Sequence, residues 1–270
     1  MSGGRTSDFA TRYGPWAVVL GASHGIGASF AHELAARGVN VVVVARPDDG
    51  LPETAEAVRA AHGVDVRAHE IDLIDDDVLA HLAPATADLD VGLLACVAGG
   101  TDSVGRFLDH PVERAERLVR LNCLAPVQAC HHFGARMRER GRGGIVLISS
   151  LAGTFGTEGT VTYSAAKAFD RVLAEGLSAE LAPHGVDVTA LVLGNVRTPT
   201  LLASGMPDPE AVVGMEPDAV AREGLDHLGD APVWVVGDDT RAVHDALRSL
   251  GTTEGIAAMS AGMRAQYGWD

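Results

Sequence analysis

Aromatic residues make up only 4% of these 270 residues, so the core has to be aliphatic. Cysteine is scarcer still. Cys96, Cys123 and Cys130 form no even set and no CxxC pair, which excludes a disulfide framework and suits a reducing, cytoplasmic setting. Basic residues are outnumbered, 21 against 36 acidic, for a net charge of −15. That balance argues against nucleic acid and anionic membrane surfaces as partners. No apolar stretch approaches the roughly 18 residues of a membrane span, so no membrane partner is expected. The opening MSGGRTSDFATRYG lacks a signal-type apolar core. No linker rich in Ser, Pro and Gly divides the chain, and no internal repeat is visible.

What is present is an alternation of short apolar runs and helical patterns. Hydrophobic residues reach 47%, enough for a large core. Strands are predicted at about 16–20, 39–45, 64–71, 91–98, 145–149, 186–193 and 233–236. Helices are predicted at about 25–37, 52–61, 75–82, 111–139 and 160–182, with two short ones at 240–249 and 253–266. This order predicts an α/β fold, a doubly wound parallel sheet of about seven strands with helices on both faces. Residues 1–15 read as a loose N-terminal arm, and 16–270 as a single domain. Within it, 198–219 mixes Pro199, Gly205, Pro207, Pro209, Gly214 and Pro217 with Leu201, Leu202, Met206 and Met215. An apolar but breaker-rich segment after a strand end reads as an active-site lid. Residues 240–270 form a helical tail.

Two motifs carry chemistry. Trp16–Leu20 leads directly into Gly21-Ala22-Ser23-His24-Gly25-Ile26-Gly27, and a helical pattern follows. Strand, glycine turn and helix are the setting in which backbone N–H groups and a helix N-terminus cradle a pyrophosphate. The second motif lies further on. Tyr163 follows Ser150 by thirteen positions, and Lys167 follows Tyr163 by four. On a helix the phenol and ammonium share one face. A cation beside a phenol favours the phenolate, so the set is suited to proton transfer. An ordinary structural pair on a helix is the alternative reading of Tyr163 and Lys167 taken alone.

Taken together, GASHGIG with Asn122, Ser150, Tyr163 and Lys167 resembles the short-chain dehydrogenase/reductase family, from about Trp16 to Thr198. The last seventy residues resemble it only loosely. The resemblance implies a Rossmann-like fold and a nicotinamide cofactor. It implies that Ser150 holds the substrate oxygen, Tyr163 is the general acid or base, Lys167 assists it and binds the nicotinamide ribose, and Asn122 holds a water leading to solvent. The cofactor would be held by Gly21, Ser23, His24, Gly25, Ile26 and Gly27, by Asp72 and Leu73 at the adenine, by Ala98 and Gly99, and by Gly194, Val196 and Thr198 at the carboxamide end.

Arg46 follows the second strand, where NAD binders place an acid and NADP binders a cation. With Ala45 in the acid's place, NADP(H) is favoured, and NAD(H) is the other option. Asp48 and Asp49 stand close by in sequence. The chain departs from the family at Leu20, at Cys96-Val97-Ala98 after the fourth strand, and at Leu193-Gly194 after the sixth. Cys123, Cys130, His131 and His132 fit no zinc spacing, so no metal is expected.

The expected reaction is hydride transfer between NADP(H) and an apolar ketone or secondary alcohol. Expected substrate contacts are Gly100, Thr101, Phe107, Leu151, Ala152, Phe155, Asn195, Leu201 and Met206. Two alternatives stay open: epimerisation or dehydration with bound nucleotide, and a nucleotide-sensing protein without turnover. A homodimer or homotetramer is expected. Leu118, Leu121, Ala125, Ala129 and Phe133 on one helix, and Phe169, Val172, Leu173 and Leu177 on another, recur at helical spacing as its candidate face.

Overall fold

Short aliphatic runs rich in β-branched residues become the strands. The computed structural model describes residues 3–47, 50–100 and 104–269, without the side chains of 3–7 and 210. Its strands are β1 (Trp16–Leu20), β2 (Asn40–Ala45), β3 (Val66–Glu70), β4 (Val91–Cys96), β5 (Gly143–Ser150), β6 (Val186–Leu193) and β7 (Val233–Val235). They pair in parallel as one seven-stranded sheet, in the order β3-β2-β1-β4-β5-β6-β7. The helices are α1 (Gly3–Tyr13), α2 (Gly25–Ala36), α3 (Leu51–His62), α4 (Leu79–Ala85), α5 (Val112–Val119), α6 (Ala125–Arg140), α7 (Val161–Leu181), α8 (Pro199–Leu202), α9 (Pro217–Asp226), α10 (Asp238–Arg248) and α11 (Thr252–Tyr267).

The sheet separates two apolar layers. On one face Phe30 and Leu34 of α2 pack with Leu51 of α3 and Val220 of α9. On the other, Leu82 of α4 packs with Phe133 and Met137 of α6 and Ala174 of α7. Phe30 and Phe133 are fully buried. Each burial is worth roughly 1.5–3 kcal/mol. The chain runs outward from β1 to β3 and returns at β4, so β1 and β4 are neighbours at the point where strand order reverses. A crevice opens there at the carboxyl ends of the strands.

Four features depart from the sequence-based expectations. Residues 3–13 are helix α1 instead of a loose arm. It is anchored by contacts far away in sequence: Tyr13 Oη donates to Asp187 Oδ2 at 2.6 Å, and Arg12 pairs with the same carboxylate. The predicted helix 111–139 is interrupted by a π-turn over Arg120–Leu124. The predicted lid 198–219 is shorter. Val196 bridges Met215 at its base, and 217–219 belong to α9, which packs on α2 through Ser29–Asp218 (2.5 Å) and Arg37–Asp226 (2.8 Å). Finally, Leu118, Ala125, Ala129 and Phe133 face the core. The large apolar side chains left exposed on those helices are Val112, Val119, Leu124 and Val127, with Val161, Phe169 and Val172 on α7. Among the described residues, no helix is long and apolar enough to cross a membrane.

Candidate active site

Gly21 leaves β1 with φ +87°, and a Cβ there would lie 2.5 Å from Ala98 Cα. Only glycine lets the turn pass β4 so closely. A Cβ on Gly27 would strike the Gly21 carbonyl, so α2 begins hard against the strand. His24 is its N-cap and makes no side-chain cap. The helix end therefore keeps its first N–H groups and positive dipole for an anion. Ser23 and Ile26 lie in the same turn. Val97 N and Ala98 N both donate to Leu20 O, at 3.0 and 2.6 Å. Backbone bonding thus holds β1 to the start of the loop after β4, where the resemblance would have put asparagine side chains.

Arg46 is exposed directly after β2, and Ala45 beside it is buried. Asp48 and Asp49 lie outside the described residues. Asp72 Oδ1 accepts from Ile74 N at 3.2 Å, closing a local turn, and Leu73 is buried. A cradle that a Cβ would fill, an uncapped helix N-terminus and a cation past β2 fit a dinucleotide cofactor.

The proton-transfer residues gather at the same end of the sheet. Ser150 ends β5, and its Oγ accepts from Ala152 N at 3.2 Å. The turn that follows lies against α7, where a Cβ on Gly153 would be 2.6 Å from the Lys167 carbonyl carbon. Ser149, one residue back, is buried and donates to Lys167 O at 2.6 Å, a purely structural bond. Lys167 Nζ lies 5.7 Å from the Tyr163 ring centroid. It donates to Ile148 O at 2.8 Å and to Asp170 Oδ2 at 2.9 Å. Burial, the largest single influence, would push this ammonium's pKa down, but the charge and hydrogen bond of Asp170, with Tyr163 and Cys123, together outweigh it and hold the group above its ordinary value. Burial pushes the Asp170 carboxyl up, and Lys167 offsets part of that rise.

Asn122 sits fully buried in the π-turn. Its Nδ2 donates to Leu118 O at 3.0 Å, and its Oδ1 has no partner. That orphan oxygen points toward Gly99, whose Cβ position is 3.3 Å from Lys167 Nζ. An extra residue in the helix turns the amide toward the lysine, as π-turns at functional sites often do.

The expected substrate contacts divide. Phe107 and Tyr163 share a cavity of about 250 Å3, with Leu108, His110, Val112 and Val161 also in its wall. Gly100 approaches Thr200 of α8, and Gly25 approaches Thr198, so α8 roofs the crevice. Thr198 Oγ1 accepts from Leu201 N and caps α8. Gly194 abuts Thr240 at the start of α10, and Asn195 is exposed. Leu151 and Ala152 follow Ser150 in the turn against α7. Phe155 turns the other way and packs its ring on Gly255 of α11. Thr101 lies outside the described residues. Met206 is buried and accepts from Gln266 Nε2.

The tail brings residues that no motif announced. Tyr267 Oη and Ser204 Oγ are 3.0 Å apart. Arg264 pairs with Glu158 at 2.6 Å, and Glu158 N donates to Ser260 Oγ. Helix α11 thus joins the lid to the loop that precedes Tyr163.

A family model described as short chain dehydrogenase matches residues 15–205. A 7beta-hydroxysteroid dehydrogenase of Clostridium sardiniense is 34% identical over 235 residues, covering 87% of this chain and 90% of the relative. A structure solved to study 7beta-hydroxysteroid dehydrogenase stereoselectivity superposes with a TM-score of 0.86 at 29% identity, covering 93% of this chain and 98% of the other. A short-chain dehydrogenase from Sphingobium yanoikuyae, solved with NADPH, gives a TM-score of 0.78 at 32% identity, covering 90% and 95%. Likeness of this extent, in sequence and in fold, is that of common descent: the chain belongs to the short-chain dehydrogenase/reductase family and is an oxidoreductase.

Proposed function

We propose that this enzyme reduces a bulky apolar ketone with NADPH, or oxidises the matching secondary alcohol in reverse. The observation that carries the reading is Tyr163, which opens onto an apolar cavity on one side and has the Lys167 ammonium against its ring on the other. When bound, the reduced nicotinamide supplies the hydride that reaches the carbonyl carbon. Tyr163 Oη gives its proton to the carbonyl oxygen, and the two additions together make the alcohol. In oxidation the phenolate takes the hydroxyl proton back. The Lys167 ammonium beside the ring attracts the negative charge that forms on the phenol oxygen during the transfer. Ser150 Oγ already accepts from Ala152 N, so its own O–H is available to the substrate oxygen. Donors held in place before the reaction stabilise the developing alkoxide, usually the largest catalytic contribution. The Asn122 Oδ1 is the acceptor for a water beside Lys167.

Phe107, Leu108, Val112 and Val161 offer an apolar wall, with Arg114 paired to His110 rather than placed alone to clamp an anion. Relatives that act on a hydroxysteroid support a flat, bulky substrate. Arg46, with no acid at Ala45, supports NADPH over NADH, as does the NADPH held by the Sphingobium relative. The three free cysteines suit the cytoplasm. The exposed apolar side chains of α6 and α7 suit a second copy of the chain.

A panel of steroid and other bulky ketones, read by loss of reduced-nicotinamide absorbance, tests the reading. Stoichiometric loss with such a ketone, abolished in Tyr163→Phe while NADPH still binds, supports it. No loss with any bulky ketone, or a Tyr163→Phe enzyme near wild-type activity, overturns it.

A further inference from the structure

Lys167 has a charged neighbour that the reaction as derived does not use. Asp170 lies one turn further along α7 and is 2% exposed. One of its oxygens meets Lys167 Nζ, and Oδ1 is buried without a partner. A buried carboxylate with an unpaired oxygen is costly. The cost points to a role for the charge. We propose that Asp170 is a positioning residue for catalysis: its carboxylate keeps the Lys167 ammonium charged and seated between β5 and Tyr163. The inference rests on the proposed roles of Tyr163 and Lys167.

The groups around the ammonium leave this task to Asp170. On α7 they are Tyr163 and Asp170. The π-turn contributes Asn122 and Cys123, and β5 contributes the Ile148 carbonyl. From β4 comes Cys96, whose thiol faces Cys130 of α6. Burial pushes the Cys123 thiol up to about 11, and Cys130 together with burial pushes Cys96 well up. Neither thiol is an anion at neutral pH. Asp170 is the one carboxylate in the set, and Lys167 is 4% exposed. A buried ammonium that loses its counter-charge gives up its proton at lower pH.

Asp170→Asn keeps an oxygen that can accept from Nζ and removes only the charge. In alcohol oxidation the wild-type kcat should show no descending limb below the ordinary lysine pKa of 10.5. Asp170→Asn should acquire one, losing about tenfold per pH unit beyond its new alkaline pKa. The unliganded protein supplies an independent readout. With the Lys167 pKa depressed, the unfolded chain of the variant binds more protons than the folded one in the alkaline range. Its stability then rises with pH relative to wild type. The Tm deficit of Asp170→Asn should therefore shrink from neutral to alkaline pH, whereas a packing defect gives a constant deficit. A wild-type pH profile in the variant, an equal loss at every pH, or a constant Tm deficit overturns the inference. So does a descending limb in the wild type well below 10.5, a test that needs no variant. Asp170→Leu, read the same way, replaces Asp170→Asn if the latter does not fold. Should Tyr163→Phe prove active, the failure belongs to the underlying mechanism instead.

Discussion

Gly99 and Asn122 meet with no room for a methyl group: a Cβ on Gly99 would lie 2.6 Å from Asn122 Oδ1. The amide cannot retreat easily, because it is fully buried and its nitrogen is bonded to Leu118 O. Gly99→Ala should therefore displace Asn122 and crowd Lys167. Misplacement of about 1 Å can cost 10²-fold in rate. We expect kcat/KM to fall by about that factor, with about 1–3 kcal/mol of stability lost to the overpacked site. Steady-state kinetics within about twofold of wild type would show that the contact carries no catalytic weight.

Arg46→Asp should turn cofactor preference from NADPH toward NADH. The change removes a charge-assisted contact to the 2′-phosphate and adds repulsion, at a cost to NADPH of about 2–3 kcal/mol. The ratio of kcat/KM for the two cofactors reads this directly. A wild type that already prefers NADH would refute the assignment whatever the variant does.

Glu223 of α9 is the hub that holds β7 and α10. It accepts from Trp234 Nε1 at 3.0 Å, Gly237 N at 3.1 Å and Arg241 at 2.8 Å. Burial pushes its pKa up, but the Arg241 bond and the other donors outweigh it and leave the carboxyl below its ordinary 4.5. A depressed carboxyl contributes stability above its unfolded pKa and loses it as pH falls through the folded one. Glu223→Gln should cost about 1–3 kcal/mol at neutral pH. In thermal unfolding its deficit should narrow as pH drops below 4.5; a deficit unchanged in acid would contradict the prediction.

Val172 is 54% exposed on α7, near Phe169 at 37%. If α6 and α7 form the proposed contact between two copies, Val172→Asp should leave the fold intact and dissociate them, because a charge inside an apolar contact is left without a partner. Light scattering should then fall to the 28.0 kDa of one chain. A wild type that is already monomeric would remove the basis for this face.

The strands and both chemical motifs were readable because each is local. Val41–Val44 can only be a buried strand, and the glycine turn and the Tyr163–Lys167 pair declare themselves over a few residues. Helix α1 was not readable, since Tyr13 meets Asp187 across 174 positions. The apolar stripe on α6 is visible in the sequence, but periodicity does not say whether Phe133 faces the sheet or another chain. Asp170 looked like any polar residue on a helix, and only burial shows otherwise. Residues Arg264, Tyr267 and Trp269 follow no spacing that composition could single out.

A π-turn holds one residue more than the α-helical path needs. The segment Arg120–Leu124 is therefore where the chain could be shortened by one position with least harm to its architecture. The α ladder would close up locally, with α5 and α6 still packed on the sheet, but the Asn122 amide would lose its aim. On the proposed mechanism, a single deletion here separates folding from turnover. Turnover would then be lost by a change of length alone, with the Ser150, Tyr163 and Lys167 side chains unaltered.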